Sequence, residues 1–388
     1  MKRKLRCLCL LAVLAASVHV LASPAPAAAQ HDPFTSAIAR FEARLASDVA
    51  ADSVGAISAC VVDGRRVVWA RGFGWADPAL RVPATDRTVY RTGSISKSVT
   101  AVLLMDLAEE GVVGLEEPVE RYLPELQGLA GRPENAGPIT FRQLASHTAG
   151  LEREPGIRGM ASGPIASWTA RILESIPETE YRSPPATEYS YSNIGYGILG
   201  YALERAADTS FMDMVRRRIF IPLGMERAEF VVSPHIAGLL AVGHTNRRDG
   251  SVDTAGPASE HLGRGYKVPN GGVYASVHDL ARFIMLQTGA LHAVLEPESL
   301  REMQRIQTPG PGPEGYGLGF SIRETQGRTL IGHGGSVAGY TAHMLFDPDS
   351  RIGVVLLRNY NRGKTSLGGA ARRLLLELDE IRDNPKHQ

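Results

Sequence analysis

Ser94-Ile95-Ser96-Lys97 puts a hydroxyl and an amine three residues apart, the spacing that brings two side chains onto one face of a helix. A serine hydroxyl attacks a carbonyl only when a nearby base takes its proton. An amine can be that base if burial and neighbouring cations hold it partly neutral. A helix that starts at this point also turns its positive dipole end toward Ser94, where negative charge builds during acyl transfer. A capped helix with a solvated lysine would have the same spelling. Two features separate the readings. Val99, Val102, Leu103, Leu104 and Leu107 cover most of the helix circumference, so the helix is expected to be buried and Lys97 enclosed with it. Lys97 is also the only lysine between Lys4 and Lys267, in a chain that otherwise uses arginine, which cannot act as a base.

Two later segments could complete such a site. In Tyr191-Ser192-Asn193 a phenol could carry a proton between serine and leaving group, and the Asn193 amide could hold a substrate carbonyl. The same three residue types are also common in turns. In Gly332-His333-Gly334-Gly335-Ser336 the glycines let a substrate backbone approach closely. A strand N–H near Ser336 would then form an oxyanion hole with the N–H of Ser94. A plain glycine hairpin is the alternative. His333 is expected to hydrogen-bond within the site or to offer a pH-dependent charge. The chain has no Gly-x-Ser-x-Gly and no His-Glu-x-x-His, and its eleven histidines are scattered, so neither a metal nor an organic cofactor is implied. Gly363-Lys364-Thr365 is not a phosphate loop, because Arg358 stands where the first glycine is required. His147 is assigned a structural, hydrogen-bonded role in its loop.

The elements that must position these groups follow from periodicity. Helices are expected over residues 34–50, 96–110 (ended by Gly111), 194–207 and 367–381, with another running from an N-cap at Thr140 toward His147. Strands are expected over 54–62 and 66–70 around an Asp63-Gly64 turn, and over 317–322, 339–346 and 352–357. The pattern suggests an α/β domain built from both chain ends and interrupted by a helical domain. Residues 31–92 and 266–388 would form the sheet domain and residues 93–265 the helical one, with the site between them.

With 388 residues, 44% hydrophobic and 21% charged, the chain can bury a sizeable core. A net charge of +1 excludes general attraction to nucleic acid or anionic membranes and leaves a small molecule or peptide as the expected partner; oligomeric state is left open. At the N-terminus, Lys2, Arg3, Lys4 and Arg6 precede an apolar stretch from Leu8 to Leu21 and then Ala27-Ala28-Ala29. This reads as a secretory signal over residues 1–29, giving a periplasmic or secreted protein. The rival reading is a membrane anchor, but the stretch is shorter than the ~20 residues a spanning helix needs. Once the signal is gone Cys60 is the only cysteine, expected as a buried core thiol, and no disulfide within the chain is possible.

In this order, Ser94-Ile95-Ser96-Lys97, Tyr191-Ser192-Asn193 and His333-Gly334-Gly335 resemble the three motifs of the serine β-lactamase and penicillin-binding-protein superfamily. The likeness is to its class C β-lactamase-like branch, with D,D-peptidase, D-aminopeptidase and family VIII esterase relatives. Arg121-Tyr122-Leu123-Pro124, Ser146-His147-Thr148-Ala149-Gly150-Leu151, Pro222-Leu223-Gly224-Met225 and Gly271-Gly272-Val273-Tyr274 are similar to connectors of that family. The resemblance implies an α+β, β-lactamase/transpeptidase-like fold, with an antiparallel sheet flanked by N- and C-terminal helices and an inserted helical domain. It also implies a covalent acyl-enzyme on Ser94, with Lys97 and Tyr191 moving protons. Asn193, His333, Gly334, Gly335 and Ser336 would orient the substrate. Where the family carries lysine and threonine in its third motif, this chain has His333 and Gly334, so a permanent cation and a hydroxyl are missing there. An esterase or a peptidase for D-amino-acid or peptidoglycan-type substrates is therefore expected ahead of a β-lactamase. A non-catalytic penicillin-binding sensor or scaffold is the reading from another class. Such a descendant would have no physical need to keep Ser94, Lys97 and Tyr191 together.

Overall fold

The computed structural model describes residues 33–134 and 136–384, so the signal-like segment lies outside the described residues. The sheet is assembled from both ends of the described chain. Helix α1 (Thr35–Asp52) leads into strands β1 (Ala56–Asp63), β2 (Arg66–Asp77) and β3 (Val82–Pro83). A short strand β4 (Tyr90–Arg91) precedes helix α2 (Ser96–Glu109), and the helical stretch that follows includes α3 (Phe141–Ala145), α4 (Trp168–Ser175) and α5 (Asn193–Ala207). Strand β5 (Tyr274–Ala275) pairs back onto β4, and helix α6 (Val277–Gln287) follows it. The chain then closes the sheet with β6 (Glu314–Tyr316), β7 (Ser321–Thr325), β8 (Arg328–Val337), β9 (Tyr340–Asp347) and β10 (Ile352–Arg358), and ends in helix α7 (Leu367–Asp383). The eight-stranded order is β3-β2-β1-β10-β9-β8-β7-β6, antiparallel throughout.

The first and last strand segments meet at the centre, where Ile57 lies opposite Arg358 and Cys60 opposite Val355. Both strands are covered on both faces, which is why they read as continuous apolar runs. Alternation still sorts their side chains. Ile57, Ala59, Val61, Val354 and Leu356 pack under α1 and α7 with Leu45, Leu374 and Leu378. Ala56, Cys60, Val62, Val355 and Leu357 face the other way, into a core shared with α2, α5 and α6. Cys60 is buried there, and its Sγ–H donates to the Val277 carbonyl at 3.4 Å.

One sequence expectation needs correction. Residues 317–322 are not one strand: residues 317–320 turn the chain between β6 and β7, and Ser321 and Ile322 already belong to β7. Leu318 and Phe320 are fully buried, so the alternation that suggested a strand belongs to a turn that plugs the core. Gly319 takes φ +82° there, and a Cβ on it would come within 2.6 Å of the Ala101 methyl on α2. Gly332 to Ser336 is the strand expected at Ser336 and not the alternative glycine hairpin: it is the second half of β8, and the turn comes after Val337.

Candidate functional site

Ser94 sits in a single 3₁₀ turn, Gly93–Ile95, that runs directly into α2. The turn is held from both sides. The Ser96 hydroxyl donates to the Gly93 carbonyl at 2.8 Å and accepts the Val273 N–H at 3.1 Å, while Thr92 hydrogen-bonds the Val273 carbonyl through both its N–H and its hydroxyl. Strand β8 presses against this turn at two glycines. A Cβ on Gly335 would stand 1.9 Å from the Thr92 carbonyl oxygen, and one on Gly93, at φ +55°, would stand 2.8 Å from the Ser336 nitrogen. The backbone nitrogens of Ser94 and Ser336 therefore border the same narrow gap. On the other edge of β8 its pairing with β7 stops at Gly332, so the segment from His333 onward has no strand beside it there.

Lys97 is fully buried one turn below Ser94. Its Nζ lies 3.4 Å from the Ser94 Oγ and donates to the Asn193 Oδ1 at 2.7 Å. The Tyr191 and Tyr196 rings flank it, with centroids at 4.6 and 5.5 Å. Burial drives the ammonium well below its ordinary pKa; Arg153, Lys267 and Arg264 push the same way, and Glu154 alone opposes them. The Tyr191 phenol reaches Ser94. Burial raises its pKa, and the contact with Ser94 offsets part of that rise, so the phenol keeps its proton at neutral pH.

Tyr191 and Asn193 are set by the start of α5. The Ser192 side-chain oxygen caps the helix by accepting the Gly195 N–H at 2.9 Å, while its hydroxyl donates to the Glu152 carbonyl at 2.7 Å. The Asn193 N–H donates to the Arg153 carbonyl at 2.8 Å, and the Asn193 carbonyl accepts from the Asn270 amide at 2.9 Å. His147 fixes the preceding residues from beneath, as its structural assignment anticipated. It takes φ +60°, accepts the Ser192 N–H on Nδ1 at 3.0 Å, and packs its ring against those of Tyr191, Tyr196 and Tyr316. Burial, with Lys97 and His333 nearby, keeps its pKa well below the usual histidine value.

His333 is buried, with the Tyr316 hydroxyl 2.9 Å from its Nε2 and the Gly334 carbonyl 2.6 Å from its Nδ1. Of the two roles expected for it, hydrogen bonding is present. The pH-dependent charge is not, because burial and the nearby Lys97 hold its pKa down at about 3. Gly334 faces away from Ser94, toward the His343 ring.

Five residues of this region were not singled out by the sequence: Arg153, Glu154, Tyr266, Lys267 and Tyr316. Glu154 accepts the Asn193 Nδ2–H at 2.6 Å, is paired with Lys267 at 2.9 Å, and receives the Tyr266 hydroxyl. This chain of contacts explains why Asn193 turns its oxygen, and not its nitrogen, toward Lys97. Lys267 carried a usable signal, being the next lysine after Lys97 in a lysine-poor chain. Lys364, by contrast, lies away from the site, where Asp52 of α1 binds its backbone N–H. Among the described residues no group of three or more His, Cys, Asp or Glu side chains is placed to hold a metal ion.

A family model described as "Beta-lactamase" matches residues 41–379. Among curated proteins, the chain is similar to "Beta-lactamase-like protein 2" of Dictyostelium discoideum, 27% identical over 76% of this chain and 54% of that one. The chain thus spans about half the length of that relative. It is also similar to "D-alanyl-D-alanine-carboxypeptidase/endopeptidase AmpH" of Escherichia coli K12, 27% identical over 76% of this chain and 77% of the relative. Among solved structures, the octameric penicillin-binding protein homologue from Pyrococcus abyssi superposes with a TM-score of 0.76 and 26% identity, covering 88% of this chain and 77% of that one.

Proposed function

Because the chain belongs to the beta-lactamase family of serine hydrolases, we propose that it is an exported enzyme that cleaves ester or amide bonds through an acyl-enzyme on Ser94. The observation that carries this reading is a fully buried Lys97 amine, depressed in pKa, 3.4 Å from the Ser94 hydroxyl. The Lys97 nitrogen takes the Ser94 proton, directly or through the Tyr191 phenol, as Oγ bonds to the substrate carbonyl carbon. The carbonyl oxygen gains the negative charge and is held by the N–H groups of Ser94 and Ser336, next to the start of α2. Collapse breaks the bond to the leaving group, which departs with the proton held by Lys97 and Tyr191. Water then attacks the acyl carbon, the same pair takes its proton and returns one to Oγ, and the acid is released. Asn193 holds Lys97 in reach of Ser94, while the open edge of β8 from His333 to Ser336 orients the substrate.

The substrate class follows from charge. A neutral, buried His333 stands where a lysine would bind a β-lactam carboxylate, which favours an esterase or a D-amino-acid or peptidoglycan-type peptidase over a β-lactamase. The similarity to a D-alanyl-D-alanine carboxypeptidase/endopeptidase supports the peptidase side. Export rests on the basic-then-apolar N-terminus ending in Ala27-Ala28-Ala29. No helix among the described residues is long and apolar enough to cross a membrane. The test is labelling with a fluorescent fluorophosphonate, followed by a panel of p-nitrophenyl esters, D-amino-acid anilides and nitrocefin. Labelling of the wild type but not of Ser94→Ala is expected; equal labelling of the two refutes the nucleophile.

A further inference from the structure

The lost third-motif cation has a counterpart on the opposite side of the site. Arg153 contributes its carbonyl to the start of α5, accepting the Asn193 N–H, so its Cα is fixed beside the reacting groups. Its side chain is 65% exposed, and the guanidinium lies over the Tyr191 ring at 4.9 Å, the same ring that flanks Lys97. The one acid near it, Glu154, is 3.8 Å away, too far for a hydrogen bond. Glu154 is also already committed to Asn193, Lys267 and Tyr266. Among the described residues the two terminal nitrogens of Arg153 have no hydrogen-bond partner. A planar donor pair lying over the ring that also flanks Lys97 is suited to a carboxylate, which it can bind with two parallel hydrogen bonds. The surrounding charge favours an anion too. Arg153 and Lys267 share the single carboxylate of Glu154, and Arg264 is paired with Glu260, so one positive charge on this side is left without a matching acid.

We propose that Arg153 selects substrates carrying a free carboxylate and binds that group at the rim formed by Tyr191 and the start of α5. This rests on the acyl-transfer reading above, and it narrows the substrate class to acyl-amino acids, peptides with a free C-terminus, or half-esters of dicarboxylic acids. The carboxylate would dock from the α5 side and not, as a third-motif lysine would require, from β8.

Two measurements test it. In the first, kcat/KM is compared for p-nitrophenyl hydrogen glutarate and its neutral methyl-ester counterpart, in wild type, Arg153→Ala, Arg153→Lys and Arg153→Glu. The anionic-to-neutral ratio should fall about tenfold in Arg153→Ala, further in Arg153→Glu and less in Arg153→Lys, mainly through KM. In the second, N-acetyl-D-alanine is titrated calorimetrically into the Ser94→Ala protein with and without Arg153→Ala. Binding should weaken by a similar factor when the arginine is removed, whether or not turnover occurs. An unchanged ratio together with unchanged binding overturns the proposal while leaving Ser94 chemistry intact. Turnover that survives in Ser94→Ala overturns the reading beneath it instead.

Discussion

The two faces of the central sheet bury different kinds of matter. Under α1 and α7 the contact is apolar, built from Leu45, Val49, Val354, Leu356, Leu374 and Leu378, with the polar groups Arg328, Asp347 and Asp379 gathered at one end. On the opposite side an apolar core surrounds fully buried or nearly buried Lys97, His147, His333 and Arg91. Burying an ionisable group without full compensation costs stability, and the usual response is a shifted pKa. The shifts of Lys97 and His333 are of that kind. Asp379 and His343 are shifted by burial on the α7 side as well. But the buried ionisable groups of the site, Lys97, His147 and His333, gather on the opposite face, and the rest of the core must offset their cost.

Substitutions on the two faces should therefore separate activity from stability. The largest effect is expected for Ser94→Ala, with kcat down by about 10⁴-fold or more and no loss of Tm; an assay plus calorimetry checks both. Next is Gly335→Ala. Its methyl has no room against the Thr92 carbonyl, so β8 must retreat from Ser94 and open the oxyanion gap. A loss of about 10²–10³ in kcat is expected, and an unchanged kcat would show that Ser336 does not serve that hole. Leu374→Ala, on the far face, should cost about 2–5 kcal/mol in denaturant unfolding and leave kcat near wild type. A large drop in kcat there would erase the distinction between the faces.

The smallest effect concerns acid. Burial holds His333 at about 3 and His261 and His343 at about 4, against an ordinary value of 6.5. The unfolded chain binds these protons first as pH falls, so the folded state loses stability on acidification. That contribution is complete above about 6.5 and is lost between there and the folded values. Tm measured from pH 7.5 to 4.5 should fall, with a shallower slope in His333→Gln. An equal slope would mean that His333 takes no part.

Much of this was legible beforehand because strong local signals coincided with the chemistry. The Ser94–Lys97 spacing, the apolar helix behind it and the Tyr191–Asn193 step onto α5 all appear where periodicity and capping place them. The central strands were equally visible as two-sided apolar runs, while the family-level reading of the fold came from the resemblance of the three motifs. Glu154 and Arg153 were not legible, and Lys267 only through its rarity, because what makes them matter is contact between segments far apart in the chain, which no local pattern encodes. The misread strand at 317–322 failed for the opposite reason. Its alternation was real, but Gly319 turned it into a core-plugging loop. His333 was visible as a residue yet not as a neutral one, since its pKa depends on burial beside Lys97.

The central claim is a lysine amine kept unprotonated next to a serine, and the chain's six lysines make it directly measurable. In protein carrying ¹³C-labelled lysine, the Cε resonances can be followed by NMR against pH, with Lys97→Met supplying the assignment. One resonance, missing in that variant, should titrate far below 10.5. If the Lys97 resonance titrates near 10.5 instead, the amine is an ordinary cation at neutral pH and cannot be the base proposed for Ser94.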